Sequence, residues 1–177
     1  MSNVLGVDLD TRRVTLAMKS KGGWDILTVP ACDSYSGTDD ALKEFAIALD
    51  EVLWSLGNPS AAYIEKPFLS INPTTFAKLA SVYTCVRIAC ASLGIKTIGV
   101  PPATWQNSVL AGIPKDPNGT KKKASKNRSI AYAKLAEGVI TKNDHEADAL
   151  CIAVYAEAME RQKESVCSTR EIKENQK

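Results

Sequence analysis

The sequence has a single histidine and no cysteine pair in CxxC spacing, and these two shortages remove most zinc architectures at once. Its five cysteines, Cys32, Cys85, Cys90, Cys151 and Cys167, are odd in number. Three of them lie in apolar helical patterns, the usage of buried thiols in a reducing compartment. No run of about 18 apolar residues occurs, and the first residues, MSNVLGVDLD, contain no basic segment followed by an apolar one, so neither a spanning helix nor a signal peptide is expected. A cytoplasmic protein without a membrane partner is the expectation. Strong net charge is absent as well, at +2. There is no internal repeat, and 177 residues suit one well-buried domain but not two lobes with separate cores. That length excludes the two-lobed actin-like and sugar-kinase ATPases, whose first strand begins in a similar way.

What is present is the balance of a globular chain, 45% hydrophobic and 24% charged. Val4 to Asp10 reads as a short buried strand. Arg13 to Lys19 and Trp24 to Val29 follow, separated by the turn-forming Lys21-Gly22-Gly23, which predicts an antiparallel meander. From Thr38 the period changes. Leu42, Phe45, Leu49, Val52 and Leu56 repeat at helical spacing, with Asp39 and Asp40 at the start and Gly57 after the last turn. Ala61 to Ile64 is a fourth strand, opening into Glu65-Lys66-Pro67, where proline stops further pairing.

Thr74 or Thr75 is expected to cap a helix running to about Leu93. It has two stripes: Phe76, Leu79, Tyr83, Val86, Cys90 and Leu93 form one, and Ala77, Ser81, Thr84, Ile88 and Ala91 the other. The second stripe fits either a thick core or a second subunit. Ile95 to Val100 is a fifth strand, ended by Pro101-Pro102. A short helix around Thr104 to Ala111, a basic loop from Gly112 to Lys123 and a helix from about Ser125 to Glu137 come next. The last helix starts near Asn143 and passes Met159, and beyond Arg161 the lost periodicity predicts a flexible charged tail over 161–177. This order gives an α/β chain with a five-stranded mixed sheet, three antiparallel strands then two parallel, flanked by helices. It suits the RNase H-like fold over 1–160.

Four residues carry potential chemistry. Asp8 interrupts an apolar strand, where a carboxylate is costly unless it is paired or binds a metal. Glu65 ends the fourth strand, and His145 and Asp148 are three apart on one face of the last helix. If the first and fourth strands are neighbours, Asp8 and Glu65 stand side by side and repel without a cation between them. Oxygen ligands from three carboxylates select Mg²⁺ or Mn²⁺. Structural readings stand beside these: a strand-end Asp8 satisfied by backbone donors, a plain loop carboxylate at Glu65, and an acidic helix start around His145.

Between Lys115 and Lys134 lie seven basic residues against Asp116 alone. This stretch is either a solvated charge run or a nucleic-acid contact.

Three motifs resemble those of the RuvC-type Holliday junction resolvases, of the RNase H-like superfamily. GVDLDTRR at Gly6 to Arg13 resembles their first-strand motif. YIEKPFLSIN at Tyr63 to Asn72, followed by Lys78-Leu79-Ala80, resembles their glutamate motif, and HEADALCIA at His145 to Ala153 resembles their final metal motif. The resemblance reaches to about Met159 and implies a divergent member, with a phage or viral source in keeping. It implies metal-binding catalytic roles for Asp8, Glu65 and Asp148, with His145 either a ligand or a group steering water. It further implies two Mg²⁺ per site with Mn²⁺ substituting, and paired symmetric nicks in four-way DNA junctions by a homodimer, leaving 5′-phosphate and 3′-hydroxyl ends. Such a protein acts at the nucleoid, or in a host cytoplasm if phage-encoded. Phe68 sits where the family carries an aromatic that stacks on bases, its other reading being a core phenylalanine. Asn72, Lys78, Lys121, Lys122, Lys123, Lys126 and Arg128 complete the expected DNA contacts. Two departures stand out: Leu9-Asp10 replaces the usual Pro-Gly, and a histidine replaces a carboxylate, which shifts the preference toward Mn²⁺. The same pattern also admits a nuclease for forks, flaps or RNA:DNA hybrids, or a catalytically silent DNA-binding protein.

Overall fold

In the computed structural model, residues 3–31, 39–57, 59–68, 72–114 and 121–174 are described. Five strands form one sheet in the order β3-β2-β1-β4-β5, from β1 (Val4–Leu9), β2 (Arg13–Ser20), β3 (Gly23–Pro30), β4 (Ala61–Glu65) and β5 (Lys96–Val100). β1, β2 and β3 pair antiparallel, while β4 pairs parallel with both β1 and β5. The mixed sheet is the expected one. Its central strand β1 reads apolar on both faces because both are covered.

On one face Leu5, Val7, Leu16 and Ile64 pack against Phe45, Leu49 and Leu53 of α1 (Asp39–Ser55) and Val82, Val86 and Cys90 of α2 (Pro73–Ser92). On the other, Val4, Ala61 and Tyr63 meet Trp105 of α3 (Pro102–Val109) and Cys151, Ile152 and Ala156 of α5 (Asp144–Glu174). α4 (Lys121–Ala136) adds Ala133 to an alanine-rich contact of α5 with β2. Each large apolar side chain so buried contributes about 1.5 to 3 kcal/mol. Gly6 lets α5 approach: a Cβ there would lie 2.3 Å from the Ala149 carbonyl oxygen and 2.3 Å from the Ala153 nitrogen.

Several boundaries differ from the expected ones. Asn72, not Thr74 or Thr75, caps α2, its Oδ1 accepting from the N–H groups of Thr74 (3.0 Å) and Thr75 (3.3 Å), and Pro73 takes the first helical position that suits it. The stripe of α2 that is buried is Val82, Val86, Ala89 and Cys90. Ile88 is 64% exposed, so the second stripe faces out. α4 begins at Lys121, not Ser125, because Lys121 to Ala124 are good helix formers with no proline or glycine among them. The tail expected beyond Arg161 is helical to Glu174. No proline or glycine occurs there, and Glu157–Arg161 and Glu160–Lys163 pairs at 2.9 and 2.6 Å brace its start. Tyr63 donates to Glu160 at 2.6 Å, tying that stretch to β4. Among the described residues no helix is long and apolar enough to cross a membrane.

Candidate active site

Parallel pairing of β1 with β4 aligns Val7 with Ile64. Asp8 and Glu65 come one step later, side by side on the face toward α5, at the carboxyl ends of their strands. α5 is started by Asn143, whose Oδ1 accepts the Glu146 N–H at 3.0 Å. Its first turns bring His145 and Asp148 over the same strand ends. All four candidate residues therefore occupy one site.

Asp8 is 5% exposed, and its Oδ2 lies 2.7 Å from His145 Nδ1. The other ring nitrogen of His145, Nε2, faces Asp10 Oδ2 at 3.5 Å. The hydrogen bond to Asp8, opposed by partial burial and helped by the charges of Asp8, Asp144 and Asp10, raises the His145 pKa. Burial raises the Asp8 pKa despite His145, with Asp10 and Asp144 adding to the rise. Burial and then Asp8 push Glu65 up to about 7. Burial, then the charges of Asp8, Glu65 and Asp144, hold Asp148 well above the usual carboxylate range, with the Ser129 hydroxyl acting the other way. Three largely buried acids, of which Asp8 raises both Glu65 and Asp148 and Glu65 also raises Asp148, form an electrostatic problem that a cation solves.

Among the described residues no three His, Cys, Asp or Glu side chains stand together closely enough to hold a metal ion as placed. The donor chemistry nevertheless fits a hard divalent ion. Trp105 Nε1 donates to one oxygen of Glu65 at 2.8 Å, and His145 engages one oxygen of Asp8. These contacts leave the second oxygen of each acid for coordination. Trp105, fully buried, is the residue that sequence reasoning undervalued. Its position after Pro101-Pro102 marks packing, but the β4–β5 register that lines Glu65 up with Val100 is not readable from spacing. Asp10, just beyond the end of β1, also faces His145 and joins the cluster.

The expected DNA contacts divide. Phe68 is 73% exposed, which removes its core reading. Lys78 lies on α2 beside an open cavity. Asn72 spends its side-chain oxygen on the cap described above. Arg128 bonds the Ile113 carbonyl at 3.0 Å and also the Leu110 carbonyl, so its guanidinium joins α4 to the end of α3. Lys121, Lys122 and Lys123 have described backbone in α4, not in the expected loop, Lys126 lies in α4 as expected, and the side chains of all four lie outside the described residues.

One consequence is measurable without metal. Glu65 titrates near 4.5 when unfolded and at about 7 when folded. A raised acid stabilises the fold fully below the unfolded value, and that stability is lost as pH rises through the folded value. In EDTA the wild type should lose up to about 3 kcal/mol between pH 4.5 and 7.5 from this residue. Glu65→Gln, which keeps an acceptor for Trp105, should lose that much less and be the more stable protein at pH 8. Denaturant titrations at several pH values check this, and a variant that tracks the wild type would refute it.

No family model and no curated protein matches the chain. Solved structures do. Thermus thermophilus RuvC in complex with Holliday junction substrate superposes with a TM-score of 0.64 at 17% identity, over 86% of this chain and 91% of that one. A second Thermus thermophilus RuvC structure gives 0.60 at 20%, over 85% and 90%. The yeast mitochondrial Holliday junction resolvase Ydc2 gives 0.52 at 14%, over 86% and 76%. These likenesses establish the RuvC-like RNase H fold for this chain.

Proposed function

We propose that this chain is a divalent-metal-dependent DNA endonuclease that resolves four-way junctions by paired symmetric nicks as a homodimer. The observation carrying the proposal is the assembly of Asp8, Glu65 and Asp148 at adjoining strand ends and one helix face, all with raised pKa values, those of Glu65 and Asp148 in part because of Asp8. Asp8, Glu65, Asp148 and His145 would hold the ions. Two Mg²⁺, or Mn²⁺ in their place, supply Lewis acidity for phosphodiester hydrolysis that leaves a 5′-phosphate and a 3′-hydroxyl.

The residues of the chain do the rest. Trp105 holds Glu65 in place by its indole N–H. His145, bonded to Asp8 and facing Asp10, can keep a proton at Nδ1 or Nε2 beside the reacting phosphate. Exposed Phe68, three residues beyond Glu65, offers a ring for stacking on an unpaired base, an interaction of about 1 to 3 kcal/mol. The decisive experiment incubates purified protein with end-labelled four-way junction, duplex, flap and RNA:DNA hybrid in Mg²⁺, Mn²⁺ and EDTA. Symmetric cuts in the junction, dependent on metal, are expected; selective loss of an RNA strand would overturn the reading.

Two further results are expected. Replacing Lys121, Lys122 and Lys123 together with alanine should weaken junction binding and reduce its salt slope by roughly 0.9 per lost phosphate contact. An unchanged slope would mark the run as merely solvated. Assembly is tested at Ile88. Because it is 64% exposed on α2 beside an apolar groove lined by Phe45, Leu49 and Cys85, glutamate there would bury a charge in a twofold contact. Light scattering should then find monomer, and the variant should lose paired cutting before single nicking. A dimer with unchanged paired cutting would exclude this face.

A further inference from the structure

We propose that a cavity on the far side of the β1–β2 turn from the acidic cluster seats a backbone phosphate of the DNA strand, close to the one that is cut, with Arg12 and Lys78 supplying the positive charge. The inference rests on the nuclease reading above and adds to it a contact that sets the position of the strand.

The cavity has a volume of about 380 Å³, and its described lining is Thr11, Arg12, Ala31, Thr74, Thr75 and Lys78. Two cations and three threonines line a common space; the Thr11 hydroxyl donates to Asp10 Oδ1 at 3.3 Å, those of Thr74 and Thr75 are not used by the cap, and among the described residues of the lining there is no carboxylate. This is donor chemistry for a phosphodiester, which accepts hydrogen bonds and carries one negative charge. Backbone bonds fix the walls. The Asp10 N–H donates to the Arg13 carbonyl at 2.9 Å, closing the turn, and the Ala31 N–H donates to the Arg12 carbonyl at 2.9 Å. On the α2 side, Asn72 takes up the N–H groups of Thr74 and Thr75, a cap that does not use the threonine hydroxyls.

The turn also divides opposite charges. Asp10 sends its Oδ1 to the Thr11 N–H at 2.6 Å and its Oδ2 toward His145 at 3.5 Å. One oxygen is thus held by Thr11 and the other directed to His145, while Arg12 and Lys78 carry the positive charge along the cavity wall. A polyanion laid across this edge meets a site of negative charge that requires ions and, next to it, a site of positive charge that does not. Thr11 follows Asp8 by three residues, a chain span of at most about 11 Å, so both sites lie within reach of neighbouring phosphates of one strand.

The test is a methylphosphonate walk, in which one phosphate at a time near the cut is made neutral. Binding of a four-way junction by the uncut-forming Asp8→Asn protein is compared with the same protein carrying Arg12→Ala and Lys78→Ala. One position should cost about tenfold in affinity in the first protein and less than about twofold in the second, while circular dichroism melting stays alike. Identical profiles would overturn the seat while leaving the nuclease reading intact if the wild type cuts junctions. A second arm needs no DNA: inorganic phosphate should shift the NMR amide signals of Thr11 and Thr75 in the wild type and not in the Arg12→Ala, Lys78→Ala protein. If no DNA is bound at all, the nuclease reading fails, and with it the assignment of this seat to DNA. Absence of any phosphate-induced shift removes the anion site itself.

Discussion

Replacing Asp8 by asparagine is expected to leave a protein that binds four-way junctions within a few fold of wild type and cuts them at least about a thousandfold more slowly. The substitution keeps the shape of the side chain and removes its charge. Asp8 is the member of the cluster that raises both Glu65 and Asp148, so its carboxylate sits where a shared cation would serve all three. On the proposed function, DNA affinity would come from basic and aromatic groups elsewhere on the surface, which is why binding should survive. Asparagine also relieves the repulsion among the remaining acids, so the loss of cutting should not be accompanied by a lower melting temperature in EDTA. Single-turnover cleavage of end-labelled junction, set against anisotropy titrations, separates the two quantities. Normal cutting, or cutting and binding that fall together, would sink the assignment.

Gly6→Ala should have an effect of similar size on folding. The added methyl would sit 2.3 Å from two backbone atoms of α5, the Ala149 oxygen and the Ala153 nitrogen, and backbone cannot rotate away as a side chain can. Either α5 moves off the sheet or the strand bends. Each route opens contacts among Ala17, Ala147, Leu150 and Ala153, and the cost should exceed about 4 kcal/mol, a large part of the stability of an ordinary domain. Gly22→Ala is the matched control, since nothing lies within 4 Å of its added carbon; it should change stability by less than about 0.5 kcal/mol. A Gly6→Ala protein melting within a few degrees of wild type would contradict the close contact of α5 with β1.

The meander was legible because Gly22-Gly23 punctuates two alternating runs, and Asp8 because a lone acid in an apolar strand has no inexpensive explanation. Glu65 was legible through the proline that ends its strand. Their adjacency depended on strand order, which a motif suggests and only the sheet supplies. Asn72 was read as a DNA contact because a polar residue before a helix serves equally as a cap, and single-sequence patterns do not separate the two. The structural contact of Arg128 was hidden for a related reason: a cation in a basic run looks solvent-facing until the carbonyls at the end of α3 are placed beside it. Trp105 carried only a packing signal, since nothing near it in sequence names the acid that its indole meets. The continuation of α5 beyond Arg161 was missed because helical periodicity disappears where a helix no longer has a core to face, although the residues there still favour helix.

The parts of the acidic site are drawn from β1, β4 and the first turns of α5, so residues 8, 65, 145 and 148 must all be present before it exists. During synthesis at roughly 5 to 20 residues per second, the first strands emerge several seconds before the helix that completes the cluster. Contacts of such long sequence separation also form late in folding. An unfinished chain already carrying its basic stretch would therefore be able to touch nucleic acid while still lacking His145 and Asp148. On the proposed function, hydrolysis would require the last of these elements to be synthesised, and a chain stalled before residue 145 would lack two of the four site residues.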